Sequence, residues 1–340
     1  MTLLDEIAEQ PAVLAGLIEN GGDAASDAAR LLTSPGVYHV VIAARGTSDN
    51  AARYAKYVWG SLARLPVTLA APSLHSSYGA PPDLGGAAVV GISQSGQSPD
   101  LLAVVEEGRK QGRPTIGITN DPESPLAELA DVVVPLRAGP ERSIAATKTY
   151  TTTLMNIAMI ATRLDSSADA ASLDAVPDAV ARMLEMSATI NERARSFGPV
   201  RDCVVLGRGY QYSTAFEWAL KLQEMAYVLA HPFSVADFAH GPFAVLEPEF
   251  PVLAVAVRGA LFDSTVDMLD RIRTERDANL LTVTNDPSLT GPSIVIPLTE
   301  EWLSPMPAIV AGQLFTEALA RVRGIDPEQP RGLKKVTKTT

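Results

Sequence analysis

Apolar residues concentrate in short strand-like runs at 38–44, 66–70, 87–92, 114–118 and 131–136. Runs of that length predict strands buried on both faces. Between them, apolar positions recur at helical spacing over about 48–63, 98–111, 124–130 and 147–164. This alternation predicts a mainly parallel sheet flanked by helices on both faces. The order then repeats, with strands near 202–207, 251–257, 279–283 and 293–297 and helices near 212–228, 261–276 and 305–323. Two punctuation marks share the repeat: Gly46 and Gly209 stand 163 residues apart, and Asn120 and Asn285, each in a Thr-Asn-Asp-Pro turn, 165 apart. Two tandem α/β domains follow from that offset.

The remaining segments complete the division. Residues 3–33 read as a helix or two, broken near Pro11 and Gly21-Gly22, and form an N-terminal helical segment over 1–35. The first domain is expected over 36–165, a linker and helix over 166–195, the second domain over 196–325 and a tail over 326–340. The small and acidic run at 165–180 has the composition of a linker or loosely packed turn, followed by a helix at about 178–195.

With 340 residues and 46% hydrophobic composition the chain can bury large cores. A net charge of −11 argues against a broad nucleic-acid footprint. The single cysteine, Cys203, leads an apolar strand and reads as a buried structural thiol. The four histidines do not cluster at metal-ligand spacing, so neither a metal nor another cofactor is expected. The N-terminus lacks the basic and apolar regions of a signal peptide, and no run reaches the roughly 18 apolar residues of a membrane span. A cytoplasmic protein with no membrane partner is the expectation.

The sharpest local chemistry lies at Ser93-Gln94-Ser95-Gly96-Gln97-Ser98, between an apolar strand and a helix opening at Pro99. Hydroxyls and the free N–H groups of a helix start favour a phosphate there; an ordinary N-cap in a Ser-rich loop is the competing reading. Arg45-Gly46-Thr47-Ser48 follows the first strand in the same manner. Both turns are expected on the carboxyl edge of one sheet, as a pocket for a small phosphorylated molecule. A dinucleotide fingerprint is incomplete, because Gly207-Arg208-Gly209 runs into Tyr210-Gln211.

Glu217, Leu220, Lys221 and Glu224 share one helix face. Glu217 and Lys221 read as an ordinary helix ion pair worth a few tenths of a kcal/mol. Apolar neighbours of Glu224 suggest partial burial and a usable general base. His240, in Asp-Phe-Ala-His-Gly-Pro-Phe, sits beside Gly241-Pro242, which can hold an imidazole rigidly in a cleft or simply in a loop. The tail carries three lysines, which read either as a solvated basic end or as a segment that folds back to deliver a positive or nucleophilic group.

Taken together, RGTS at 45–48, SQSGQS at 93–98, AATKTYTTTL at 145–154, ALKLQE at 219–224, FAHGP at 238–242 and PRGLKKVT at 330–337 resemble, in order, motifs of the paired sugar-isomerase (SIS) domains. The similarity is to the isomerase half of glucosamine-6-phosphate synthase and covers nearly all of the chain from about residue 36. It implies two flavodoxin-like αβα domains. It also implies that Ser93, Gln94, Ser95 and Ser98 hold a phosphate, with Thr47 and Ser48 near the sugar. Ile144 and Lys221 would join the substrate-binding set. By the same resemblance Glu224 is the base that moves a proton between C1 and C2. His240 would enter from the partner subunit of a homodimer with shared active sites and assist ring opening. Lys335 matches the lysine that engages the open-chain ketose, and Lys334 occupies an alanine position.

Some positions depart from the pattern. Ser98 replaces a threonine, Gln97 a glutamate and Ala146 a serine. The sequence given carries no N-terminal glutaminase half, which directs the expectation to the stand-alone deaminases of the family. Glucosamine 6-phosphate would open, shift its C2 proton to C1 and lose ammonia by hydrolysis of the C2 imine, yielding fructose 6-phosphate. The alternatives are another phosphosugar isomerase, a galactosamine-6-phosphate deaminase, a fructosamine-phosphate deglycase or a non-catalytic sugar-phosphate sensor.

Overall fold

The computed structural model describes residues 2–165, 168–198, 200–333 and 335. Three helices lead the chain: α1 (Leu3–Ala8), α2 (Gln10–Asn20) and α3 (Gly22–Leu32), with breaks at Glu9 and Gly21. Thr2 caps α1, its Oγ1 accepting the Asp5 N–H at 3.2 Å while its own N–H donates to the Asp5 carboxylate at 2.7 Å.

The first sheet comprises β1 (His39–Ala43), β2 (Val67–Leu69), β3 (Ala87–Ser93), β4 (Thr115–Thr119) and β5 (Val132–Pro135). All pairs are parallel and the order is β2-β1-β3-β4-β5. Its helices are α4 (Thr47–Leu62), α5 (Ser73–Ser76), α6 (Pro99–Lys110), α7 (Pro125–Leu129) and α8 (Lys148–Leu164). Every residue of β3 and β4 is buried, as crossover helices on both faces require. Leu101, Val104 and Val105 of α6 pack on Val41, Ala43 and Val89. Gly108 lets that helix lie close, because a Cβ there would stand 2.8 Å from Val89 Cγ2.

The run at 165–180 departs from the linker reading, since a 3₁₀ turn at Ala170–Asp174 leads directly into α9 (Ala175–Glu185). Val176, Ala179, Val180 and Met183 give that helix a buried face, a spacing that its small and acidic composition obscures. The single helix expected at 178–195 is likewise two, α9 and α10 (Ser187–Phe197).

The second sheet holds β6 (Asp202–Gly207), β7 (Leu229–Ser234), β8 (Pro251–Ala256), β9 (Asn279–Thr284) and β10 (Ser293–Val295), all parallel, in the order β10-β9-β8-β6-β7. Read from the other edge, this is the strand order of the first sheet. Helices α11 (Gln211–Ala226), α12 (Val235–Ala239), α13 (Phe262–Arg276) and α14 (Pro305–Val322) complete the chain. Phe238, Leu269 and Ile272 pack on Val204, Leu206, Val252 and Ala254 on one face of this sheet. Two flavodoxin-like, doubly wound αβα domains are therefore present.

The chain forms two compact units. One gathers residues 2–11, Arg142–Thr147 and Ala175–Leu333; the other gathers Ala12–Glu141, Lys148–Asp174 and Lys335. Among the described residues, no helix is long and apolar enough to cross a membrane.

Candidate functional site

In an open parallel sheet the crevice opens where the strand order reverses, at the carboxyl ends of the strands. In the first sheet that point lies between β1 and β3, and two of the sequence-predicted turns meet there. Gly46 turns the chain at φ 53°, and α4 begins at Thr47, with the Ser48 N–H donating to the Arg45 carbonyl at 3.1 Å. After β3, the buried Ser93 hydroxyl accepts the Gly96 N–H at 3.1 Å and folds the loop back on itself. Gly96 has φ +62°, and a Cβ there would stand 2.1 Å from Ser124 Oγ, so this turn takes no side chain.

Arg45 Nε donates to Asp100 Oδ2 at 2.7 Å, tying the first turn to the opening turn of α6. The Ser95 and Ser98 hydroxyls make no hydrogen bond among the described residues, and with Gln94 they are partly exposed. A chain bend of this kind ahead of a 12-residue helix presents hydroxyl and amide donors to an oxyanion. Nearby, burial raises the Asp49 carboxyl above its usual range against the pull of Arg53 and Arg45.

The same unit holds Lys335. Its Nζ donates to Glu141 Oε2 at 2.8 Å, and the Glu141 side chain is wholly buried. Glu141 also accepts the Thr149 N–H at 3.0 Å and the Thr149 hydroxyl at 2.8 Å. Sequence reasoning missed Glu141: it lies in an irregular stretch and has no periodic or turn pattern, and only the fold reveals that its carboxylate is buried. Lys334 lies outside the described residues.

The other unit holds Ile144, Lys221, Glu224 and His240. Lys221 is buried on α11, with its Nζ 3.4 Å from Glu217 Oε1 and 2.5 Å from Glu224 Oε2. Glu217 is buried too, so the surface value expected for this helix pair does not apply. Burial works against the charge on Lys221, but the Glu217 and Glu224 carboxylates outweigh it and push the ammonium pKa up to about 12. Lys221 is thus a fixed cation at neutral pH. The Glu224 side chain keeps one quarter of its surface exposed, which leaves it reachable from solvent.

His240 ends α12 and is exposed, and its imidazole makes no hydrogen bond among the described residues. The following Pro-Phe turn anchors its loop. Phe243 packs edge-on to Phe238 at 6.2 Å between centroids, and the Arg271 and Arg276 guanidiniums each lie 4.8 Å from its ring centre. Ile144 is half-buried in the irregular stretch before α8. Cys203 is the buried thiol expected, pushed up to about 12 by burial and then by Asp202.

Duplicated αβα domains with a serine-rich turn at the carboxyl edge of the first sheet define the class, and comparison with known proteins names the family. The SIS domain pattern matches residues 36–163 and 199–290, and the chain belongs to the SIS domain family. The isomerizing glutamine–fructose-6-phosphate aminotransferase of Gloeobacter violaceus is 33% identical over 356 residues, covering 98% of this chain and 58% of the relative. The chain thus spans a little over half the length of the curated relatives it matches. A candidate phosphosugar isomerase from Silicibacter pomeroyi DSS-3 superposes with a TM-score of 0.87 at 30% identity, over 96% of this chain and 100% of that one. Glucosamine-6-phosphate deaminase from Thermotoga maritima matches over 100% of both chains with a TM-score of 0.82; at 21% identity that likeness is one of fold.

Proposed function

We propose that this chain is an amino-sugar phosphate deaminase, which converts glucosamine 6-phosphate and water into fructose 6-phosphate and ammonia in the cytoplasm. Ser93, Gln94, Ser95 and Ser98 anchor the phosphate, and Thr47 and Ser48 contact the sugar hydroxyls. With the phosphate fixed, remote binding energy orients the reacting carbons. His240 assists ring opening, from the partner subunit of a homodimer. Glu224 takes the C2 proton and returns it at C1, with Lys221 as the cation beside it. Water then hydrolyses the C2 imine, which breaks the C–N bond and releases ammonia. Ile144 joins the substrate-binding set, and on this reading the tail closes over the active site.

The observation that carries the choice of deamination is the Lys335–Glu141 ion pair at 2.8 Å. An ammonium held by a buried carboxylate orients and stabilises charge and is not a ready nucleophile for capturing a ketose. A substrate that already bears the amine at C2 needs no such capture. Incubation with phosphorylated amino sugars, following ammonia and ketose 6-phosphate together, tests the reading. Glucosamine 6-phosphate should give both in equal amounts. Ketose without ammonia from an unaminated sugar phosphate would make the chain a simple isomerase, and no turnover of any phosphosugar would overturn the reading.

A further inference from the structure

The second sheet repeats the strand order of the first, so it has its own crevice at the carboxyl edge, between β6 and β8. The motifs assigned above leave this crevice unused, yet it is built of the same parts. In the first sheet the arginine after β1 reaches the opening turn of α6; here Arg208, after β6, donates to Ser264 Oγ in the opening turn of α13 at 2.9 Å. The loop after β8 runs from Val257 to Leu261 and carries a second cation, Arg258, paired with Asp286 at 2.7 Å and more than half exposed.

Asn285 faces this loop, because its Oδ1 accepts the Arg258 N–H at 2.7 Å. It is 7% exposed, and its Nδ2 is buried with no hydrogen-bond partner. Its counterpart in the first repeat, Asn120, instead donates Nδ2 to the Gly139 carbonyl at 2.8 Å. A buried amide donor left without an acceptor is costly unless something supplies one.

The loop already holds an anion of its own. Glu301 Oε2 accepts the Ala260 N–H at 3.0 Å. The same carboxylate lies so close to Gly259 that a Cβ there would stand 2.0 Å from Glu301 Cδ and 2.2 Å from Oε2. We propose that the crevice between β6 and β8 is a second oxyanion site, suited to a phosphate monoester, which the Glu301 carboxylate keeps closed. A phosphate entering it displaces Glu301 and takes up the Ala260 N–H, the free Asn285 Nδ2 and the charge of Arg208 and Arg258. Glu301 then acts as an internal competitor that holds the second repeat to weak anion binding.

The test uses the full chain carrying Ser93→Ala and Ser95→Ala, so that the first loop does not dominate, titrated with inorganic phosphate by calorimetry with and without Glu301→Ala. Removal of the carboxylate should tighten phosphate binding by at least about tenfold, and adding Asn285→Ala should reverse the gain. Glu301→Gln, which keeps the size and an acceptor oxygen, should give a smaller gain; it also guards against a folding defect, with circular dichroism as the check. Folded Glu301→Ala and Glu301→Gln proteins with no gain in affinity would overturn the proposal. So would a gain that survives Asn285→Ala, because the anion would then sit elsewhere.

Discussion

Lys335 and Glu141, 194 residues apart in the chain, form an ion pair of 2.8 Å in which the carboxylate is wholly buried and the lysine one quarter exposed. A buried carboxylate without its cation is costly, so the pair favours keeping the Lys335 ammonium at this position. Lys335→Ala should lower turnover of the amino-sugar phosphate at least about tenfold, and deletion of 330–340 should do the same while the two-domain core stays folded. Lys335→Arg should keep the tail anchored and recover part of the activity. Steady-state kinetics beside circular dichroism decides it. Ordinary turnover in a folded deletion protein would make the tail a solvated end.

Ser95 offers a hydroxyl, unpaired among the described residues, at the turn between β3 and α6, where an oxyanion has most to gain from it. Replacing it with alanine should weaken substrate binding by about 1.5–3 kcal/mol, the worth of one charge-assisted hydrogen bond. Because the phosphate is remote from the reacting carbons, the loss should appear chiefly in KM. Substrate titration of Ser93→Ala and Ser95→Ala proteins measures it, and unchanged affinity in both would remove the phosphate from this loop.

Both sheets and both doubly wound domains were legible in the alternation of apolar runs with helical spacing, because strands buried on both faces have little room for polar residues. The strand that escaped was β7. Its His231-Pro232 step breaks the apolar run, yet the strand pairs with β6 in the register Val204↔His231 and Val205↔Pro232. It is tolerated because β7 is an edge strand, where a missing N–H leaves no neighbour unpaired. The turn from Ser93 to Ser98 and the helix face of Lys221 and Glu224 carry local patterns that mark them as candidates in the sequence. Glu141 was not, since its role depends on a partner 194 residues away.

Glu224 is 2.5 Å from a buried ammonium and still reachable from solvent, an arrangement suited to taking and returning a proton. Glu224→Gln keeps the size and loses the base. Turnover should fall at least about 100-fold, with solvent deuterium exchange at the sugar falling in step and substrate binding retained. Near-normal exchange in this variant would move the base to another residue.

His240 is exposed at the end of α12, and its imidazole makes no hydrogen bond among the described residues. A ring-opening acid supplied to a neighbouring subunit predicts complementation: mixed Glu224→Gln and His240→Ala protomers should regain activity in the heterodimers that assemble one intact site. Activity is measured after denaturation and joint refolding, with heterodimers confirmed by differential tags. Verified heterodimers that stay inactive would place both residues within one chain.

The Lys221 cluster predicts a stability effect separable from catalysis. Lys221→Met removes the cation beside the buried Glu217 carboxylate, and breaking one side of a buried pair costs about 3–5 kcal/mol. Adding Glu217→Gln removes the stranded charge and should recover much of that loss. The pH dependence follows from the direction of the shift. Folding raises the Lys221 pKa from its ordinary 10.5 to about 12. Its contribution to stability is therefore fully present below 10.5 and is lost as pH rises through about 12. Denaturant unfolding of the wild type and of the Lys221→Met, Glu217→Gln double variant should accordingly show a stability gap that is constant from neutral pH to about 10 and narrows above it. A gap that stays constant to pH 12 would mean that the ammonium gains nothing from its carboxylates in the folded chain.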